Sequence, residues 1–429
     1  MQAILSVFTL LLGVAVILSG TGLLGTLLGV RGQLEGFSSA VLGLVMSGYF
    51  VGFVVGTRLV PRLIRQVGHI RVFAALASLA SIATLLHGLY VSPALWFVLR
   101  LASGICLVGI YIAIESWLNE RAGNEERGHI FSAYMTTTLI GLGIGQMLLM
   151  AGQVDNLELF ALASVLLSLG LVPVAMTEVK EPPVVEADRL GLRKLYAISP
   201  LGVVACIFAG LGTGSFWGLG PVFASAIGLD KGGVAAFMGL TILGGIVMLW
   251  PVGRFSDGHE RRKVLAWACG LAACGALAAA LAVDHGFGWV MLGAFAYGSF
   301  AFSIYSLAAA HTIDHLHRSH VLEVTSTLQL LWAVGAIIGP ILAGVLMQRL
   351  GPEALMMFIA AGALVPAFFA VYRMKVSEAV PLEAQSDFVP QFATSSAALE
   401  MHPDEVADPD SEPVETQEGS DRADLESRH

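Results

Sequence analysis

Gly20-Thr21-Gly22 returns as Gly212-Thr213-Gly214, 192 positions further along a chain of 429 residues. At the same offset, with no gap, Met46 falls on Met238, Gly52 on Gly244, Arg62 on Arg254 and Val72 on Val264. An offset of 194 extends the match, placing Ile110-Tyr111 on Ile304-Tyr305, Ser132 on Ser326, Gly141 on Gly335 and Gly145 on Gly339. The chain is a tandem duplication, and each copy is long enough to hold several secondary-structure elements.

Those elements face lipid. Apolar residues make up 56% of the chain and charged residues only 13%, against about 25% charged in soluble domains, which excludes an ordinary soluble enzyme. Mean hydropathy is +0.78, and the apolar residues fall in runs of about 20 or more, the length an α-helix needs to cross a hydrocarbon core of about 30 Å. Residues 1–30 carry no charge and lack the basic start of a cleaved signal peptide, so they read as a retained span. Eleven more follow near 38–60, 70–90, 93–117, 129–151, 158–177, 197–225, 231–254, 263–283, 287–311, 320–347 and 352–373. The expected fold is an all-α membrane protein of twelve transmembrane helices, in two six-helix repeats. Six is an even number, so both copies enter from the same side and are parallel repeats.

Charge orients the chain. Seventeen Lys and Arg fall in one set of alternating loops and only Arg31, Lys231 and Arg349 in the other, so the positive-inside bias puts both termini in the cytoplasm. The Glu-Pro-Pro-Val-Val-Glu-Ala-Asp run, residues 181–188, reads as a linker. The expected units are a bundle over 1–177, a cytoplasmic linker over 178–196, a bundle over 197–375 and an acidic tail over 376–429. Net charge is −9, yet residues 381–429 hold 13 acids and 2 bases, so the acidity belongs to the tail, which has too little apolar content to order itself. No clustered basic surface for nucleic acid is present. The four cysteines lie inside apolar runs, with no CxxC pair or disulfide framework.

The loop after the eighth span reads Gly253-Arg254-Phe255-Ser256-Asp257-Gly258-His259-Glu260-Arg261-Arg262-Lys263. With the span count and the duplication, it resembles the major facilitator superfamily, whose signature loop is Gly-x-Leu-x-Asp-x-x-Gly-Arg-Arg. Gly253, Asp257, Arg261 and Arg262 match, and Glu260 replaces the second glycine. After the second span, Gly68 and Arg71 remain, while Pro61 and Arg65 replace the first glycine and the aspartate. Glu115-Ser116-Trp117-Leu118-Asn119 and Gly68-His69-Ile70-Arg71 resemble an uncharacterised bacterial subgroup, YcaD-like, which implies a bacterial plasma membrane. A carboxylate among arginines in a tight loop can break and remake charge-assisted bonds between two helix arrangements, and the resemblance implies such a gating role for Gly253, Arg254, Asp257, Arg261, Arg262, Gly68 and Arg71. Basic residues that simply hold the loop inside are the alternative.

Glycines interrupt the first and seventh spans at matching places: Gly20, Gly22 and Gly25, then Gly210, Gly212 and Gly214, with Gly218 and Gly220-Pro221 following. Corresponding broken segments point to a transporter's central site, and close helix packing through small residues is the other reading. In the first, Thr21, Ser215 and Trp217 are cavity candidates, joined by Tyr111 and its repeat partner Tyr305. Arg100, Tyr111 and Glu115 share one face of the fourth span, with Arg100 and Glu115 about 22 Å apart along the axis. Each therefore needs another partner. An intramembrane ionisable group is a functional candidate by default, so Glu115 is the proton-carrying candidate and Arg100 the charge candidate. Snorkelling at the span end and a structural ion pair are the alternatives. His311 and His315, at i, i+4 spacing, have no accompanying zinc motif; neither a metal nor a cofactor is expected.

These residues read as a secondary transporter moving a small molecule by alternating access, coupled to protons, with lipid as its solvent and the monomer as its unit. Gly335, Gly339-Pro340 and Gly344 resemble the glycine-proline pattern of family exporters, while the fifth span has Gly141, Gly145 and Gln146 without the proline; export is favoured over uptake. No Gly-x-x-x-x-Gly-Lys-Ser/Thr, His-Glu-x-x-His or Gly-x-Ser-x-Gly motif occurs, so neither an ATP-driven pump nor an enzyme is expected. A sensor that keeps the fold without transport is the rival reading. In a background without the native cysteines, cysteines placed at Asp155 and Asp284 should react with an impermeant thiol reagent from outside the cell, and one at Asp188 should not. The reverse pattern overturns the orientation.

Overall fold

A computed structural model describes residues 2–121, 127–175, 190–316, 321–386 and 388. Residues 178–189 of the expected linker, His317 and His320 of the histidine-rich loop, and residues 389–429 of the expected tail lie outside the described residues. Among the described residues all regular structure is helical: α1 Gln2–Leu34, α2 Ser39–Val67, α3 His69–Leu89, α4 Pro93–Arg121, α5 Arg127–Leu148, α6 Glu158–Ala175, α7 Leu192–Ile198, α8 Pro200–Ala226, α9 Lys231–Asp257, α10 Arg261–Leu281, α11 Phe287–Ile313, α12 Val321–Leu350 and α13 Ala354–Val376. Eleven are long and apolar enough to span a bilayer. The twelfth span is α6, 18 residues, or about 27 Å at 1.5 Å per residue. The short α7, which sequence periodicity did not reveal, leads from the linker into α8.

The helix starts are written locally. The Ser38 side chain accepts from Val41 N at the head of α2, and Asp230 Oδ1 accepts from Gly233 N at 2.8 Å at the head of α9, satisfying donors that have no partner within the helix. Between α2 and α3 a single residue turns the chain, and Gly68 does so at φ +90°, a conformation a β-carbon disfavours. Its repeat counterpart is Glu260, and there a longer loop from Gly258 to Glu260 replaces the glycine turn.

Helix crossings in the two copies use the same matched glycines. In α2 against α4, a β-carbon at Gly52 would collide with the Leu101 carbonyl oxygen and one at Gly104 with that of Tyr49; in α9 against α11, Gly244 and Gly298 meet Phe295 and Thr241 in the same way. The α1–α5 crossing rests on Gly22, Gly141 and Gly145, and the α8–α12 crossing on Gly214, Gly335 and Gly339. Between the copies, Gly43 of α2 lies on Pro340 of α12 and Gly344 on Ser39. The expected breaks in the first and seventh spans are therefore corrected: α1 and α8 run unbroken. At Gly20, Gly22, Gly210 and Gly214 a β-carbon would collide with a neighbouring helix's backbone, the close approach by which helices in lipid associate, whereas Gly25 and Gly212 have room for one.

At the face where α1 ends, two of the three basic residues on that side hold the loop between α5 and α6. Arg31 donates to Val154 O at 3.2 Å while pairing with Glu35 at 2.6 Å, and Lys231, from the second copy, donates to Gly152 O at 2.8 Å. The outer surface carries exposed Phe8, Trp250, Trp267, Trp289 and Phe368, as a lipid-facing surface requires.

Gly52→Val should lower the unfolding midpoint of the detergent-solubilised protein by the equivalent of about 1–3 kcal/mol or more, since overpacking against backbone has no flexible side chain to yield. Gly270→Ala, where an added β-carbon meets nothing within 4 Å, should stay close to the parent. Equal tolerance of both would remove the crossing from the account.

Candidate functional site

The repeats enclose a central cavity of about 180 Å³, lined from α1, α2, α4, α5, α8, α11 and α12. Of the residues singled out from sequence, Thr21, Arg100, Tyr111, Trp217 and Tyr305 border it, as do Gly22, Gly25 and Gly218. The duplication is visible in its walls: Thr21 and Thr213, and Tyr111 and Tyr305, are matched pairs contributed by the two copies. Ser215 is not among the lining residues. It is fully buried, its hydroxyl donates to Leu211 O at 2.7 Å, and it packs beside Gly339 in the α8–α12 crossing.

Aromatic side chains that sequence reading passed over form much of the wall. Trp332 lies edge-on to Phe50 at 5.9 Å, Phe53 at 6.4 Å and Tyr305 at 6.5 Å, which joins α12 to α2 and α11; its indole N–H donates to Thr213 Oγ1 at 3.1 Å. Trp217 stacks at a tilt on Phe302 at 6.0 Å. Their signal was position: Tyr49-Phe50, Phe53 and Trp332 sit deep within spans, whereas aromatic belts occupy span ends.

Arg100 is 9% exposed, and its guanidinium lies over the Tyr49 ring, 4.7 Å from the centroid, a cation–π contact. Glu115 is fully buried and does not border the cavity; Tyr134 donates to its Oε1 at 2.7 Å. One helical turn separates it from Tyr111, which does. Neither charge is duplicated, since the repeat counterparts of Arg100 and Glu115 are Ala294 and Ala309.

The loop between α9 and α10 forms a second polar cluster. Arg261 Nε pairs with Asp314 at 2.6 Å, both side chains 1% exposed, and Arg261 lies 3.6 Å from Asp257. Arg262 binds Glu260 at 2.6 Å and donates to Ser377 O at 2.8 Å and Arg373 O at 3.3 Å, capping the last carbonyls of α13. Residues beyond α13 return to this cluster. Ser386 donates to Asp314 Oδ1 through its backbone N–H at 3.0 Å and its hydroxyl at 2.9 Å, Arg261 donates to the Ser386 carbonyl, Phe388 N–H donates to Asp257 Oδ1 at 2.8 Å, and the Phe388 ring covers Gly253. The start of the segment that the sequence assigns to the tail is thus held at Ser377 and again at Ser386 and Phe388, while residues 378, 379 and 381–383 between them are exposed. Arg254 lies over Trp250 at 5.3 Å, and Arg71 is exposed.

Two carboxyls here respond oppositely to pH. Burial raises Glu260, but the hydrogen bonds and charges of Lys263 and Arg262 outweigh it and hold the group below its ordinary value, so its contribution to stability is lost as pH falls through the carboxylate range. Burial raises Asp314 further than Arg261 and Ser386 can lower it, so stability from this group falls as pH rises between its unfolded and folded values.

The model of the Major Facilitator Superfamily matches residues 10–250 and 202–400. The chain belongs to this superfamily and is a membrane transporter. It is similar to the uncharacterised MFS-type transporter YcaD of Escherichia coli, 26% identical over 360 residues covering 82% of this chain and 92% of that protein, and to YcaD of Escherichia fergusonii, 27% identical over 358 residues with the same coverage. Among solved structures it resembles the nucleoside transporter NupG, with TM-score 0.65 and 16% identity over 86% of this chain and 99% of that one. A bacterial homologue of the human lysosomal transporter Spinster, inward-facing and unoccupied, also has TM-score 0.65, at 12% identity over 94% and 97%. At those identities the likeness is one of fold.

Arg261→Met should cost about 3–5 kcal/mol of stability, because it strands the Asp314 carboxylate without its cation. Adding Asp314→Asn should recover part of the loss, as a double-mutant cycle on the unfolding midpoint will show. Additive losses would mean that the two residues act independently.

Proposed function

We propose that this protein is a secondary active transporter of a small molecule, coupled to protons and working in the exporting direction in a bacterial plasma membrane, with both termini cytoplasmic and a single chain as the working unit. The observation that carries the reading is the cavity, one space walled by matched residues of both copies. A site on the seam between repeats is reached from either side when one copy rocks against the other. The moving bodies are the bundles over 1–177 and 197–375, joined by the linker over 178–196.

Glu115 supports proton coupling. Its carboxyl is the acid nearest in sequence to the cavity-lining part of α4, Tyr111 stands between it and the cavity, and Tyr134 holds it in place through a bond that either protonation state can accept. The cluster around Asp257 and Arg261 supports a gate, since its bonds reach from the α9–α10 loop to the ends of α11 and α13 and to the chain beyond. Asp257→Asn keeps size and removes charge, so the gate reading expects normal insertion and slower interchange of states.

A thermal-shift screen of purified protein against small-molecule classes identifies a substrate, because a ligand of the folded state raises its apparent stability. With that substrate in proteoliposomes, Glu115→Gln should abolish accumulation driven by a pH gradient and leave substrate exchange intact. Accumulation equal to the parent's would place the proton site elsewhere or make the coupling ion another one.

A further inference from the structure

The cavity holds a cation without a counter-charge. Among the described residues Arg100 makes no ion pair and no hydrogen bond; its contact is the Tyr49 ring, and its Nε is buried without a partner. None of the residues lining the cavity is Asp or Glu. A guanidinium stays charged at any accessible pH, and an uncompensated charge at membrane depth is costly, so Arg100 is placed to receive a negative charge from within the cavity.

The remaining polar groups sort in the same direction. Thr21, Thr138 and Thr213 donate to carbonyls of their own helices, Thr26 donates to Gln146, and the Trp332 N–H is taken by Thr213. The phenol groups of Tyr49, Tyr111 and Tyr305 line the cavity, and among the described residues their hydroxyls have no hydrogen-bond partner. The uncommitted donors are thus one guanidinium and three phenols. The same cavity is walled by the rings of Trp217, Phe302 and Trp332, the last edge-on to Tyr305. Two of these donors break the duplication, since Arg100 corresponds to Ala294 and Tyr49 to Thr241, while Tyr111 and Tyr305 are a matched pair; the one charge is contributed by the first copy.

We propose that the central cavity binds an aromatic carboxylate, its carboxylate received by the Arg100 fork with help from the surrounding phenols and its ring packed against Trp217, Phe302 and Trp332. A guanidinium matches a carboxylate in bidentate geometry, and a cavity of about 150 Å³ holds a benzene ring, so 180 Å³ suits a body of one or two rings. A cationic molecule would meet Arg100 unshielded and is rejected. The assignment rests on the cavity being the transport site, and deepens that reading by giving the substrate its class.

The test uses the full chain in lipid nanodiscs, with three probes that share one ring system: 2-naphthoate, the neutral 2-naphthamide and the cationic 2-naphthylmethylamine. Binding is followed by the quenching of tryptophan fluorescence and confirmed by calorimetry. Naphthoate should bind at least about tenfold more tightly than the amide, the difference expected of a charge-assisted bond, and the amine should not bind. Arg100→Gln should bring naphthoate down to the level of the amide, and Arg100→Lys should keep part of the preference by keeping the charge without the fork. If Arg100→Gln does not fold, Tyr305→Phe carries the test, and it should narrow the preference by removing one donor. The proposal is overturned if the folded parent binds no naphthoate at millimolar concentration, if it binds the amide or the amine as well as naphthoate, if 2-naphthyl phosphate binds more tightly than naphthoate, or if these variants leave the preference unchanged. Flux through proteoliposomes separates this from the transport reading. Naphthoate binding without flux defeats transport and leaves the ligand class standing, whereas flux of neutral or cationic aromatics without naphthoate binding does the reverse.

Discussion

Close approach of helix backbones is the constraint on which this structure depends. Burying a leucine against another helix gains little when the alternative is an acyl chain, so association in lipid relies on packing contact and on residues small enough to permit it. Gly52 and Gly104 seat α2 against α4, and their repeat counterparts Gly244 and Gly298 seat α9 against α11. The same economy joins the copies where Gly43 and Gly344 bring α2 onto α12. With the backbones this close, the cavity is a residual space whose walls are set by which side chains the crossings leave over.

The duplicated frame carries chemistry that is not duplicated. Threonine and tyrosine pairs line the cavity from both copies, as common ancestry of the halves would leave them. Arg100 and Glu115 belong to the first copy, and alanine stands at both matching places in the second. A charge at membrane depth costs free energy wherever it is placed, and here that cost falls on one of two matched positions.

At the surface the balance shifts toward the second copy. Arg261 and Arg262 anchor the start of α10 to the ends of α11 and α13, and the chain beyond α13 returns to the same cluster through Ser386 and Phe388. The corresponding turn of the first copy has Arg65 in place of an acid, and Gly68 turns the chain there at a positive φ.

The sequence by itself determined the spans, their number, the parallel duplication and the identity of Thr21, Arg100, Tyr111, Trp217 and Tyr305 as candidates, because hydropathy runs, repeat offsets and charge at depth are properties of the linear chain. It left the glycines of α1 and α8 ambiguous between a broken helix and a close crossing, and it put Ser215 in the cavity, where the structure places it in the α8–α12 crossing. The wall aromatics Tyr49, Phe50, Phe53, Phe302 and Trp332, the partnership of Arg261 with Asp314 and the return of Phe388 to Gly253 were decided only by the tertiary structure. The reason is geometric: an all-apolar span shows no polar face from which its orientation can be read, and contacts between residues far apart in the chain depend on where each helix crosses its neighbours, a quantity that one helix's residues do not contain.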